Sequence, residues 1–198
     1  MRTYKNIAIL LFHPLIHKSR VNSKLIGAVS GMEGVTIRYM YDLYPDFHID
    51  VKEEQQMLLE HDIIVWHHPF YWYSSPSLLK EWIDIVLQHG FAFGREGKAL
   101  TGKKVLTAIS SGGSREVYRE GGAVNYSIRQ LLAPFEQTAN LCKLDYLPPF
   151  VVHGTHLLDD QGISKAANEY KRIITALRDD KLSQKELRKH EYINDIFA

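Results

Sequence analysis

Three stretches of this chain carry residues suited to holding a ligand, and each stands where an apolar strand-like run gives way to a loop. The most distinctive lies within Asp62 to Gly94, DIIVWHHPFYWYSSPSLLKEWIDIVLQHGFAFG. There Pro69 is followed by Phe70, Tyr71, Trp72 and Tyr73. Four consecutive aromatics in a connecting segment are unusual, because loops face water. They would wall a flat conjugated ligand, or equally cover the sheet end or meet a partner chain. The second stretch is HPLIHKSRVN, after Phe12. Ser19 is placed to cap a helix there, which gathers free backbone N–H groups at the positive end of a helix dipole, a ready anion site. His13 alone reads as a loop histidine bonded to backbone. The third is Ser110-Ser111-Gly112-Gly113. Its glycines permit close backbone approach and their N–H groups can donate, though a plain flexible turn has the same composition.

The elements that must position these residues can be read from apolar patterning. Asn6 to Phe12 and Ile63 to Trp66 are short continuous apolar runs of the kind buried on both faces of a parallel sheet, and Lys104 to Ser110 (KVLTAIS) predicts the fourth strand. Pro69, lacking an N–H, is expected to stop the ladder of the second of these. Val35 to Tyr41 alternates weakly and predicts another strand, with a loop over Tyr41 to Phe47. Leu144 to His153 predicts the fifth strand, placed after Pro148 and Pro149. Between them fall helices. One is capped at Ser19, carries Val21, Leu25, Ala28 and Val29, and ends at Gly31. The others cover Val51 to His61; a helix with Ser75 as N-cap and Pro76 as its first residue; Ser127 to Leu141, interrupted at Pro134; and Ser164 to Arg178. Neither a G-x-G-x-x-G nor a G-x-x-x-x-G-K-[ST] motif is present, so no Rossmann dinucleotide loop or P-loop is indicated. His67 and His68 are adjacent on a strand and point to opposite faces, which speaks against one shared metal; no metal site is expected.

The run HPFYWYSSPSLLKEWIDIVLQHGFAFG resembles the signature of the flavodoxin-like NAD(P)H:quinone oxidoreductase family. Within that family it is similar to the bacterial ancillary oxidoreductases of glutathione-gated potassium-efflux systems. The likeness extends from about Ile7 to the helix ending near Arg178. It implies a flavin lying along Pro69, Phe70, Tyr71, Trp72 and Tyr73. Its phosphate region would lie at His13, Ser19, Arg20, Val21 and Asn22, where a hydroxyl, an amide and backbone N–H groups suit phosphate oxygens. Ser110, Ser111, Gly112 and Gly113 stand where the family carries T-T-G-G against the flavin ring edge, with hydroxyls retained. The larger quinone reductases carry a tyrosine five residues after the second glycine and a histidine six residues further on. Tyr118 matches the first as the candidate catalytic residue, but the histidine position is Val124, so the pair is incomplete.

The five-fold alternation of strand and helix predicts an α/β, flavodoxin-like five-stranded parallel sheet, order 2-1-3-4-5, with helices on both faces. Residues 1–198 are expected to form a single domain, with 181–198 as a peripheral tail. One loop suited to phosphate, one to a flat ring and one to the ring's polar edge together describe FMN in preference to FAD. By resemblance the electron donor is NADH or NADPH and the acceptor is quinone-like. The alternative role is a flavin-binding regulatory subunit of a potassium-efflux transporter. A homodimer is also implied, consistent with Phe91, Phe93 and the apolar side chains of the tail having no evident place in a single sheet's core.

Composition narrows the field further. Lys and Arg number 24 against 23 Asp and Glu, a formal charge of +1. That balance gives no electrostatic case for nucleic acid or an acidic membrane surface, and it differs from an acidic flavodoxin-type electron carrier. Cys142, the only cysteine, excludes an intramolecular disulfide and a Cys-rich cluster. No run of about 18 apolar residues is present. The expected location is cytoplasmic, with a peripheral position at the inner membrane if a transporter is bound.

Overall fold

The computed structural model describes residues 4–197. Its core is a parallel sheet whose central strands are β1 (Ile7–Leu11), β3 (Ile63–Pro69) and β4 (Lys104–Ser110). Every residue of β1 and β3 is buried, the apolar runs Ile7–Leu11 and Ile63 to Trp66 and also His67 and His68. Alternate side chains serve opposite faces. Ala8, Leu10, Ile64 and Trp66 pack with α4 (Ser77–Val86) on one side. Ile7, Ile9, Val65 and Leu106 pack with α1 (Arg20–Val29) and α7 (Asp160–Arg178) on the other. The half-exposed β2 (Val35–Tyr39) closes one edge, and the sheet order is β2-β1-β3-β4-β5, with β5 at Asp145–Tyr146, as the alternating pattern predicts.

Several local expectations are corrected. The fifth strand is two pieces, β5 (Asp145–Tyr146) and β6 (Phe150–Val152), both paired with β4. Pro148 and Pro149 separate them because neither can donate to a ladder. Conversely, Pro69 does not stop β3. It pairs with Ser110, and the Phe70 N–H donates to the Ser110 carbonyl at 2.8 Å. Pro69 is tolerated because its missing N–H faces the side where β1 has already ended, at the level of His67. The second strand stops at Tyr39, and a helical turn, α2 (Met40–Leu43), replaces the start of the expected loop. Ser75 is not a cap: the N-cap of α4 is Pro76, with no side-chain bond. α7 begins one turn before the apolar stripe shows it, because Asp159 accepts from the Gly162 N–H. α3 (Val51–Glu60), α5 (Ile128–Leu131) and α6 (Ala133–Leu141) complete this part of the chain, with the break before Pro134 as expected. Phe91 and Phe93 do find a place, half-buried against the α4 side of the core.

The segment after Arg178 lies along the β6 edge. A short turn, α8 (Gln184–Leu187), is followed by a 3-10 stretch, Ile193–Phe197. Leu187, Tyr192 and Ile193 are buried. The Ile193 N–H donates to the Pro149 carbonyl at 3.1 Å, and the Val151 N–H donates to Asn194 Oδ1 at 2.8 Å. These bonds cap an otherwise open strand edge. Ala198, the last residue of the expected tail, lies outside the described residues.

One buried charge joins three elements of the α4 side. Glu54 of α3 is fully buried. Its carboxylate accepts from Arg38, from Tyr44 Oη–H at 2.8 Å and from Trp82 Nε1–H at 2.8 Å. Removing one member of such a set strands the others in a dry interior. Glu54→Ala should therefore lower unfolding free energy by about 3–5 kcal/mol. Urea titration measures this, and a loss below about 1 kcal/mol would show that the network is solvent-screened.

Candidate functional site

Three connections meet at the carboxyl ends of β1, β3 and β4, where open α/β sheets place ligands. The first leaves β1, passes a 3-10 turn at Ile16–Lys18 and enters α1. Ser19 caps α1 as its sequence predicts: the hydroxyl accepts from the Asn22 N–H at 3.1 Å. His13 keeps the plain role, its Nδ1 accepting from the Leu15 N–H at 3.1 Å, and burial lowers its pKa. The Arg20 side chain pairs with Asp160 at 2.9 Å, an exposed contact worth little. Val21 is 5% exposed and its side chain belongs to the core. What these two residues offer a ligand is backbone: among the described residues the N–H groups of Arg20 and Val21 have no acceptor.

The second connection follows Pro69. Phe70 turns inward, its ring 5.8 Å from that of Tyr118 and at 73° to it. Tyr71 to Ser74 form a tight turn, closed by the Ser74 N–H donating to the Tyr71 carbonyl at 2.9 Å. Trp72 (φ 50°) and Tyr73 (φ 61°) both lie in the left-handed region. For non-glycine residues this costs roughly 1–2 kcal/mol each. The result is display rather than burial: Trp72 is 92% exposed, and Tyr71 and Tyr73 about half.

The third connection is Ser110 to Gly113. It is pinned to the end of β6: the Ser111 N–H donates to the Val152 carbonyl at 2.8 Å, and the Gly154 N–H to the Gly113 carbonyl at 2.9 Å. A side chain at Gly113 would come within 2.6 Å of the Tyr118 ring, and one at Gly112 within 2.8 Å of His156 Nε2. At Gly113 the Tyr118 ring leaves room for a glycine only, whereas at Gly112 the exposed His156 side chain would have to move aside. The N–H groups of the two glycines also lack acceptors among the described residues. Tyr118 thus sits over Gly113 and beside Phe70, joining the second and third connections.

Two groups that the sequence did not single out as site residues complete the arrangement. His153, just after β6, lies 6.4 Å ring to ring from Tyr118, and burial, reinforced by the charge of Arg115, pushes its pKa down to about 4. It brings a histidine to Tyr118 from a distant part of the chain, where the local position holds Val124. His67 lies beneath the first loop. Its Nε2 is 3.0 Å from Asn22 Oδ1 and its Nδ1 3.1 Å from Tyr170 Oη. The Asn22 amide in turn donates to Ser19 Oγ at 3.0 Å and Ser110 Oγ at 2.9 Å. His68, on the opposite face, stacks on Phe135. A cavity of about 930 Å³ lies elsewhere, between β6, α7 and the tail; His153 and Arg115 form part of its wall.

The donor set fits a flavin mononucleotide. Unpaired N–H groups at Arg20 and Val21 suit a phosphate, those at Gly112 and Gly113 suit carbonyl oxygens, and the displayed aromatics suit a ring face.

Sheet order, crossover helices and a ligand cradle at the strand ends define a flavodoxin-like protein. The family model described as flavodoxin-like fold matches residues 5–174, and the chain belongs to that family. Among its relatives is the glutathione-regulated potassium-efflux system ancillary protein KefF of Enterobacter sp. (strain 638). It is 42% identical over 166 residues, 84% of this chain and 93% of that protein. The crystal structure of general stress protein 14 from Treponema denticola, in complex with FMN, has a TM-score of 0.84 and 40% identity, covering 87% of this chain and 99% of that one. An NADPH-quinone reductase from P. pentosaceus has a TM-score of 0.77 and 31% identity, covering 84% and 96%. The resemblance carried by the aromatic motif is thereby borne out.

Proposed function

We propose that this chain is an FMN-dependent NAD(P)H oxidoreductase that reduces quinones or related electrophiles by two-electron transfer in a ping-pong cycle. The observation that carries the reading is the meeting of three unlike loops at one place: anion donors, an aromatic wall and a glycine edge. FMN, when bound, supplies hydride acceptance from the nicotinamide and delivery to the acceptor. The chain itself binds and orients. The α1 N-terminus with Ser19 would hold the phosphate, the Tyr71–Tyr73 turn the ring face, and the Gly112 and Gly113 N–H groups negative charge at the ring's polar edge. One phosphate-suited loop and no dinucleotide motif favour FMN over FAD.

A second reading is favoured by the likeness to KefF: a regulatory subunit docked on a potassium-efflux transporter, cytoplasmic but held at the inner membrane by that partner. Denaturing the purified chain should release FMN, identified by mass, and initial-rate plots with NADPH and a quinone should be parallel. Absence of flavin would remove the first reading. Bound flavin without quinone turnover would leave the regulatory one.

Tyr118 is proposed as the catalytic residue. Its phenol lies over Gly113, where it would donate to the flavin carbonyl region or to a quinone oxygen. Tyr118→Phe should slow flavin reduction or reoxidation by about tenfold, a loss of about 1.4 kcal/mol, with FMN affinity little changed. Stopped-flow rates equal to wild type in both half-reactions would reduce Tyr118 to packing.

We also propose a homodimer. Since Phe91, Phe93 and the tail are satisfied within one chain, the support is the exposed turn: Trp72 at 92%, with Tyr71 and Tyr73, is a large apolar surface to leave in water. Light scattering should give twice the 22.8 kDa chain mass; a monomer at working concentration would count against it.

A further inference from the structure

The chain of hydrogen bonds from Tyr170 through His67 and Asn22 to Ser19 and Ser110 can be wired in two directions. In one, Tyr170 Oη–H donates to His67 Nδ1, and His67 Nε2–H donates to Asn22 Oδ1. Both protons of the Asn22 amide then go to the serine oxygens. In the other the amide is turned over, the serine hydroxyls donate to it, and His67 Nδ1–H donates to Tyr170. Heavy-atom distances are the same either way.

Tyr170 distinguishes them. It is 0% exposed, and His67 is its only hydrogen-bond partner among the described residues. In the first wiring its proton is taken, and the protons left over are those of the Ser19 and Ser110 hydroxyls, at the strand-end loops instead of in apolar core. In the second its proton points into apolar core, and a stranded buried donor is the costlier defect. Both wirings need a neutral imidazole, and burial supplies it by pushing the His67 pKa down to about 3; the tautomer is decided by Tyr170.

We infer that Asn22, held from below by His67 and Tyr170, is a positioning residue that turns the hydroxyl protons of Ser19 and Ser110 outward into the site. Ser19 Oγ already accepts from the Asn22 N–H and from its amide, and Ser110 Oγ accepts from the same amide. In the first wiring neither hydroxyl has an acceptor for its own proton among the described residues, so each has a proton to give. Together with the unpaired N–H groups of Arg20 and Val21, the cradle is then a surface of donors. It selects an acceptor-rich anion, a phosphate monoester, and disfavours ligands that must donate there. The identity of that ligand as FMN rests on the proposed function; the wiring does not.

The test is ¹⁵N NMR of histidine-labelled full-length protein, stripped of and loaded with FMN, with His67 assigned by the signal missing in His67→Gln. The expected result is the Nε2–H tautomer in both samples; an Nδ1–H tautomer overturns the inference. A variant pair adds a binding readout. His67→Leu removes the donor to Asn22 and should weaken FMN on the order of tenfold, while riboflavin, which lacks the phosphate, changes less. His67→Gln keeps an N–H toward Asn22 and should stay within about threefold of wild type. Wild-type FMN affinity in a folded His67→Leu protein overturns the inference, and if that variant does not fold the wild-type tautomer decides alone. An Nε2–H tautomer in a chain that binds no FMN would leave the wiring standing and remove the flavin reading.

Discussion

The bond from Asn22 to Ser110 spans 88 residues and is the contact on which the site depends. It ties the first turn of α1 to the end of β4. The Phe70 N–H, donating to the carbonyl of the same Ser110, ties in the loop after β3. One serine thus receives a side-chain bond from a helix start and a backbone bond from a loop. Neither bond faces bulk water, since Asn22 is 2% and Ser110 8% exposed. Bonds of this kind are strong in a dry interior and expensive to leave unmade.

That knot is possible because the strands beneath it are buried on both faces. A polar residue at the end of such a strand has no solvent to turn to, so it must find a protein partner. His67 illustrates the consequence. It sits in a fully buried strand between apolar neighbours, and the fold answers it with Asn22 on one side and Tyr170 on the other. The same logic operates on the far face, where buried Glu54 is met by Arg38, Tyr44 and Trp82. Against this rigid frame the strained turn at Trp72 and Tyr73 stands out. The chain accepts two left-handed non-glycine residues to hold aromatic surface in the open.

The sequence by itself determined the parallel sheet, its order and the places where loops would meet. Continuous apolar runs admit few alternatives to doubly buried strands, and strand–helix alternation admits few topologies. It also determined that Ser19 would cap α1, because capping is a local event over three residues. Local rules misplaced what depended on neighbours. Pro69 stays in β3 because of where β1 ends, and the fifth strand breaks in two because the nitrogen of Pro149, two residues after the Leu147 N–H that donates to Val105, would have had to face the β4 ladder. Tertiary structure alone decided which polar side chains line the strand-end loops and which hold the ones that do. Asn22 suited a phosphate by type, yet its amide is spent on two serines and a histidine. Arg20 suited one by charge, yet it reaches α7. The histidine beside Tyr118 comes from position 153, not 124, since two residues 35 apart in sequence meet only when β6 is laid against β4. Sequence fixes residue type and local geometry; the direction of a buried hydrogen bond depends on every partner in its chain, and those partners are assembled only by folding.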